Sequence, residues 1–312
     1  MNGGWFCWRT AVEAVECETN LDDERETVKL ALNTYVYEVA KWPIEKTLRS
    51  ARRLGFTFTE YAACGSGDPT MMSGRKRRDI VKMNRDLGLR SSQMLLANVE
   101  HMACPSVTTR RQVLDYMKRC SEFQLELGGR QVLVCWGCGV HLAEMLPEQA
   151  WLNSIDCIRK LAKWGLDKGL LVDLEIEPHV YFILNSTDKA ARMVEDIGLP
   201  NVFPNLDIGH FVINREAPRR IEKIRDRIIH IHLSETQGYD HTNSILGTGT
   251  VDFRSYVMKA IELGIEGNCA RVQEPCVAGI EMGEPHYPVD DPDRWVKRSL
   301  KYLAKHLPEV TR

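Results

Sequence analysis

Two hydrophobic patterns alternate along this chain. Short apolar runs, several with a two-residue period, mark strands near residues 28–37, 55–62, 91–98, 130–136, 169–177, 201–207, 227–233 and 269–274. Between them apolar residues recur every three or four positions, which predicts helices near 43–54, 73–87, 108–127, 148–167, 187–197, 215–226 and 252–263, and a last one near 291–306. Strict alternation without a cluster of strands argues for a parallel sheet. Eight units of this length argue for a closed (β/α)8 TIM barrel over an open doubly wound sheet. No GxGxxG follows the first strand, so a dinucleotide fold gains nothing. The expected organisation is one barrel domain over 28–312, preceded by an extension over 1–27 that is polar and acidic after Trp5, Phe6 and Trp8.

The strand ends carry the chemistry. Val172, Leu174 and Ile176 alternate with Asp173, Glu175 and Glu177, and Pro178 closes the run, which puts Glu177 at a strand's C-terminal end. Asp207, His232 and Glu274 each follow an apolar run in the same way. The separations are 207 − 177 = 30, 232 − 207 = 25 and 274 − 232 = 42, near the length of a strand plus crossover helix. One ligand from each of four βα units would then converge on one face. Asp173 and Glu175 share the strand face of Glu177, and either could serve if the register differs. Oxygen and imidazole ligands without thiolate suit Mn²⁺, Mg²⁺, Co²⁺ or Zn²⁺, and three carboxylates weight the choice toward Mn²⁺ or Mg²⁺.

Composition narrows the partner. With 44% hydrophobic residues, the 312-residue chain can bury one large core. A net charge of −2 gives no electrostatic footprint for nucleic acid or an anionic membrane. No apolar run is long enough to span a bilayer, and the N-terminus lacks a signal-peptide pattern, so a cytoplasmic enzyme of small molecules is expected. The ten cysteines are scattered and read as reduced thiols. Cys135 and Cys138 form a lone CxxC without a second pair, and this reads as structural.

The stretches LEIEP, NLDIGH, HIHLSE and LGTGTVDF, with the element order, resemble the sugar phosphate isomerase/epimerase family of xylose-isomerase-like barrels. The resemblance implies that Glu177, Asp207, His232 and Glu274 hold one metal, usually Mn²⁺, and that His210 touches substrate. It also implies that Glu177 and Glu274 act as the acid/base pair on a sugar carbon beside a carbonyl. Ile183 and Gly238 stand where ketohexose epimerases carry a glutamate and an arginine, which disfavours plain ketohexose 3-epimerisation. His141, after the fourth strand, is a further candidate base, and Trp136 beside it a substrate-binding candidate. Lyases of the superfamily give the alternative: an inosose-type dehydratase, or the metal-bearing subunit of a C-glycoside deglycosidase acting on 3-oxo-glycosides with a small second subunit. Otherwise a homo-oligomer is implied. An endonuclease IV-like nuclease is the remote alternative, since it would want further ligands and a basic groove.

Overall fold

β-Branched and leucine residues recur through the sheet, and polar side chains, Asn33, Glu175, Asp207, Ser234 and Glu281, end five of its strands. The structure is a computed structural model that describes residues 28–311; the expected extension over 1–27 lies outside the described residues. Eight strands, β1 (Val28–Asn33), β2 (Phe58–Ala62), β3 (Arg90–Leu96), β4 (Gln131–Val134), β5 (Leu171–Glu175), β6 (Val202–Asp207), β7 (His230–Ser234) and β8 (Val277–Glu281), pair in parallel in sequence order. β8 returns to β1 through Leu30 opposite Ala278 and Leu32 opposite Ile280, so the barrel closes. A short β9 (Val310–Thr311) adds to the outside of this closure beside Val28 and Lys29.

The helical layer comprises α1 (Tyr35–Val39), α2 (Ile44–Arg53), α3 (Gly74–Asp86), α4 (Val107–Glu126), α5 (Pro147–Leu166), α6 (Thr187–Ile197), α7 (Ile208–Ile213), α8 (Phe253–Glu262), α9 (Ile265–Arg271) and α10 (Pro292–His306). Local chemistry sets several starts. Ser73, Ser106 and Ser186 each accept a hydrogen bond from the backbone N–H three residues on, satisfying a donor that has no partner within the helix. Pro147 and Pro292 occupy the first helical position, where a missing N–H costs nothing. Helix α4 shows how the layer packs: Val113, Tyr116, Met117, Cys120 and Phe123 form its buried stripe. Truncating one large side chain in such a stripe costs about 2–5 kcal/mol.

Two elements differ from the expected ones. The predicted helix over 215–226 is a 3₁₀ segment, Pro218–Lys223, and α7 directly after β6 provides the regular helix instead. The predicted strand over 269–274 is the end of α9 and the turn after it, with Gln273 in the left-handed region at φ 59°. Strand β8 begins only at Val277. The Glu274-Pro275 pair mimics the strand ending Glu177-Pro178, whereas here it marks the chain entering the barrel at the opposite end.

Candidate metal centre and active-site cavity

Four strands deliver one buried side chain each to the C-terminal mouth: Glu175 at the end of β5, Asp207 at the end of β6, His232 within β7 and Glu281 at the end of β8. One ligand atom of each lies within 4.8 Å of the others. His232 Nδ1 stands 2.6 Å from Glu281 Oε2, 3.7 Å from Glu175 Oε1 and 3.8 Å from Asp207 Oδ2. These four atoms, His232 Nδ1, Glu281 Oε2, Glu175 Oε1 and Asp207 Oδ2, have no hydrogen-bond partner. The 2.6 Å contact is an ion pair without hydrogen-bond geometry. Buried polar atoms are ordinarily paired, so four orphans facing one point describe a cation site.

The opposite atoms of the same groups are held. His232 Nε2 lies 3.0 Å from Gln93 Oε1, and Gln93 Nε2 donates to Asp173 Oδ2 at 2.6 Å. Because the Gln93 amide nitrogen is committed to Asp173, its oxygen accepts from His232, which puts a proton on Nε2 and turns Nδ1 toward the cluster. Asp207 Oδ1 accepts from the Ser234 hydroxyl and from the N–H of His210 at 2.9 Å, as N-cap of α7. Gly279 of β8 makes room below: a Cβ there would collide with the carboxylate of Glu60, which is hydrogen-bonded to His230 at 2.6 Å.

Charge makes the same case. Glu60, Asp173, Glu175, Glu177, Asp207 and Glu281 are all buried, and no lysine or arginine is buried among the described residues. Burial, then the neighbouring Glu281, pushes Asp207 up to about 7, and burial followed by Glu175 drives Glu177 well above the usual carboxylate range. Burial also raises Glu175, though His232 offsets part of the effect. For Glu281 the opposing pull of His232 outweighs burial and holds the carboxyl low. Burial would lower His232, yet Glu60 and Glu281 hold it well above an ordinary histidine. Protonation or a bound cation is what such a cluster requires.

A second group adjoins the first. His210 Nδ1 faces the Ile176 carbonyl at 3.0 Å and so carries a proton, which leaves Nε2 to accept from His241 Nε2 at 2.7 Å. His241 Nδ1 pairs with Glu284 Oε1 at 3.0 Å; burial would lower this histidine, but Glu284 and Glu177 push it up to about 10. Glu177 Oε1 accepts from the N–H of Trp136 at 3.2 Å, and its other oxygen lies 3.9 Å from His210 Nε2. The loops after β7 and β8 are clasped together over the mouth by Tyr287 Oη donating to Asp240 at 2.6 Å and Gly283 N–H donating to the Asn243 carbonyl at 2.7 Å. Beneath them lies a cavity of about 370 Å³.

Of the residues expected from sequence, Asp207 and His232 stand in the four-group cluster, Glu177 and His210 in the adjoining one, and Trp136 on the cavity wall. Two lie elsewhere. Glu274 is near the N-terminal end of the barrel, its Oε1 accepting from Arg130 Nε at 2.6 Å, while Arg130 also donates to the Val272 and Gln273 carbonyls. His141 turns its Nε2 to the Met145 carbonyl at 3.0 Å and does not line the cavity. Glu281, absent from the sequence-based set, ends the run Val277–Ile280, where a strand-terminal carboxylate followed by Met-Gly is the available signal. Glu175, which the alternation turns inward, takes the place in the cluster expected of Glu177. Cys135 and Cys138 are buried free thiols that burial drives well above the ordinary value.

Residues 48–306 match a family described as Xylose isomerase-like TIM barrel. The L-ribulose 3-epimerase of Methylomonas sp. (strain DH-1) is 24% identical over 232 residues, covering 71% of this chain and 75% of that protein. Among solved structures, the IOLI protein with a bound zinc atom superposes with a TM-score of 0.74 at 16% identity, covering 90% of this chain and 99% of that one. D-allulose 3-epimerase from Methylomonas sp. in complex with D-allulose gives a TM-score of 0.69 at 17% identity, covering 90% and 98% of the two chains. These relatives are sugar epimerases or barrels of the same fold. No helix among the described residues is long and apolar enough to cross a membrane.

Proposed function

We propose a function from two facts: the chain belongs to the xylose isomerase-like TIM barrel family, and its barrel mouth gathers four buried ligand groups with one unpartnered atom each. The chain is a divalent-metal-dependent epimerase or isomerase of a sugar bearing a carbonyl group. Glu175, Asp207, His232 and Glu281 hold the metal. The three-carboxylate, one-imidazole donor set favours Mn²⁺ and also accepts Zn²⁺, Co²⁺ or Mg²⁺. The unpartnered atoms carry this reading, because four buried ligand atoms gathered this closely suit a cation.

A divalent ion there supplies Lewis-acid stabilisation of the negative charge that develops when a proton leaves carbon beside a carbonyl. Glu281 and Glu175 stand on strands β8 and β5, separated by β6 and β7 around the wall, and face the same cavity. Glu281 and Glu175 would serve as the acid/base pair, one removing the proton and the other returning one to the other face of the carbon. The carbon configuration inverts and composition is unchanged. His210, fixed by the Ile176 carbonyl, holds His241 in place on the cavity wall. The clasped β7 and β8 loops keep bulk water from the reacting carbon.

Epimerisation is preferred to elimination because the sugar-processing relatives matched here are named epimerases. The nuclease alternative loses ground because, among the described residues, no lysine or arginine lines the cavity. The test is metal content by elemental analysis together with deuterium incorporation into L-ribulose and D-allulose in D₂O. About one metal per chain and wash-in lost in Glu281→Gln are expected; a chain that takes up no divalent metal would overturn the reading.

A further inference from the structure

The cavity has two unlike halves. Its floor is anionic, with Glu175, Glu177 and Glu281, and no lysine or arginine lines it anywhere among the described residues. Its rim is aromatic. Trp136 is 42% exposed, Tyr181 48% and Tyr287 40%, and all three line the cavity; Val180, 92% exposed, adjoins Tyr181, and Tyr239, 79% exposed, adjoins the cavity-lining Asp240. Large exposed apolar side chains are normally scattered, and such a concentration around one mouth marks a binding surface.

The rim is also built. Trp136 has left-handed backbone, φ 56°, in a run of four such residues from Trp136 to Gly139, a conformation that persists only where surrounding structure holds it. Gly137 allows that turn to pass Phe182, against which a Cβ would collide. The Trp136 indole N–H is spent on the Ala97 carbonyl, which leaves only ring surface to present. Phe182 joins the two: Trp136 packs on it with centroids 6.1 Å apart and Tyr181 at 4.5 Å, and Tyr181 stacks on His179 at 5.4 Å. One fixed aromatic cluster therefore lines the same cavity as the carboxylate floor.

Resting on the function proposed above, we infer that the substrate is an unphosphorylated, uncharged carbonyl sugar bearing a planar apolar substituent, seated against the aromatic rim of Trp136, Phe182 and Tyr181 while the sugar occupies the floor. Among the described residues no lysine or arginine in this cavity awaits a phosphate; His241, held protonated, is already paired with Glu284, and Glu177 and Asp240 would repel the anion. An aryl group meets the Trp136 ring face, whose indole N–H is already satisfied.

The test uses the Mn²⁺-loaded full chain and titration calorimetry with methyl and phenyl ethers of D-fructose, substituted at O1 or at O6, beside D-fructose 1-phosphate and 6-phosphate. At one position the phenyl ether should bind about tenfold or more tighter than the methyl ether, and neither phosphate tighter than fructose. In Trp136→Ala, and independently in Tyr181→Ala, that preference should shrink to within about threefold with metal content retained. Equal or weaker binding of the phenyl ethers at both positions, tightest binding of a phosphate, or a dimer in sedimentation that Tyr239→Ala dissociates would each overturn the inference. Deuterium exchange on plain ketoses without an aryl preference would remove the rim site and leave the proposed function standing. An aryl preference without any exchange would do the reverse.

Discussion

Strand β8 is flanked by two carboxylates with opposite fates. Glu274, before the strand, meets the Arg130 guanidinium at 2.6 Å and is neutralised within the protein. Glu281, at its far end, is buried with one unpartnered oxygen among three other such groups. Seven residues of extended chain separate them by roughly 20 Å. The difference separates a carboxylate paired one-to-one from one that shares a single imidazole with the neighbouring carboxylates Glu175 and Asp207, a cluster short of positive charge that an exchangeable cation can balance.

The sharpest break of this comparison is substitution at the two positions in parallel. Glu281→Gln is expected to abolish stable metal binding and lower the initial rate of epimerisation on the order of a thousandfold. Metal removal comes next. Chelation of a protein held at a hundredfold excess of metal over its dissociation constant should cost about 2.7 kcal/mol, read as a lowered unfolding temperature. That loss depends on pH. Asp207 and Asp173 are each raised by burial to about 7, and a carboxyl whose folded pKa is raised destabilises the fold once it must ionise. The metal-free protein should therefore become less stable as pH rises from about 4, the ordinary carboxyl value, through about 7, and added Mn²⁺ should flatten that slope. A slope of the opposite sign would refute the charge argument.

Smaller effects sharpen the contrast. Gly279→Ala forces a methyl group onto the Glu60 carboxylate and is expected to destabilise by about 1–3 kcal/mol in a denaturant titration, with reduced metal affinity as Glu60 shifts against His230 and His232. Glu274→Gln should cost only about 1 kcal/mol of stability through the loss of the Arg130 pair, with the epimerisation rate within about twofold of wild type. A large rate loss at Glu274 would show that the two ends of β8 are coupled.

Much of this was legible in the residues. The boundaries of α2 to α6 and of α8 lie within about two positions of those read from periodicity and caps. Asp207 and His232 are recognisable because each ends or sits in an isolated apolar run. The rest depended on closure. Asp173, Glu175 and Glu177 share one strand face, stepping about 6.6 Å apart, and the alternation alone cannot say which layer meets His232. β8 shows a different limit: Val277–Ile280 is buried on both faces and has no alternation to announce it, whereas the turn before it ends in Glu-Pro like a true strand end.

By itself, then, the sequence determined the eight-unit alternation, the positions of most helices and two of the four cluster residues, because these follow from local periodicity and capping. The tertiary structure decided that Glu175 rather than Glu177 meets His232, that Glu281 replaces Glu274, and that aromatic residues from separate loops share one rim. Which side chains face one another across a barrel is set by the closure of β8 on β1 and the shared register of all eight strands, and no local segment contains that information.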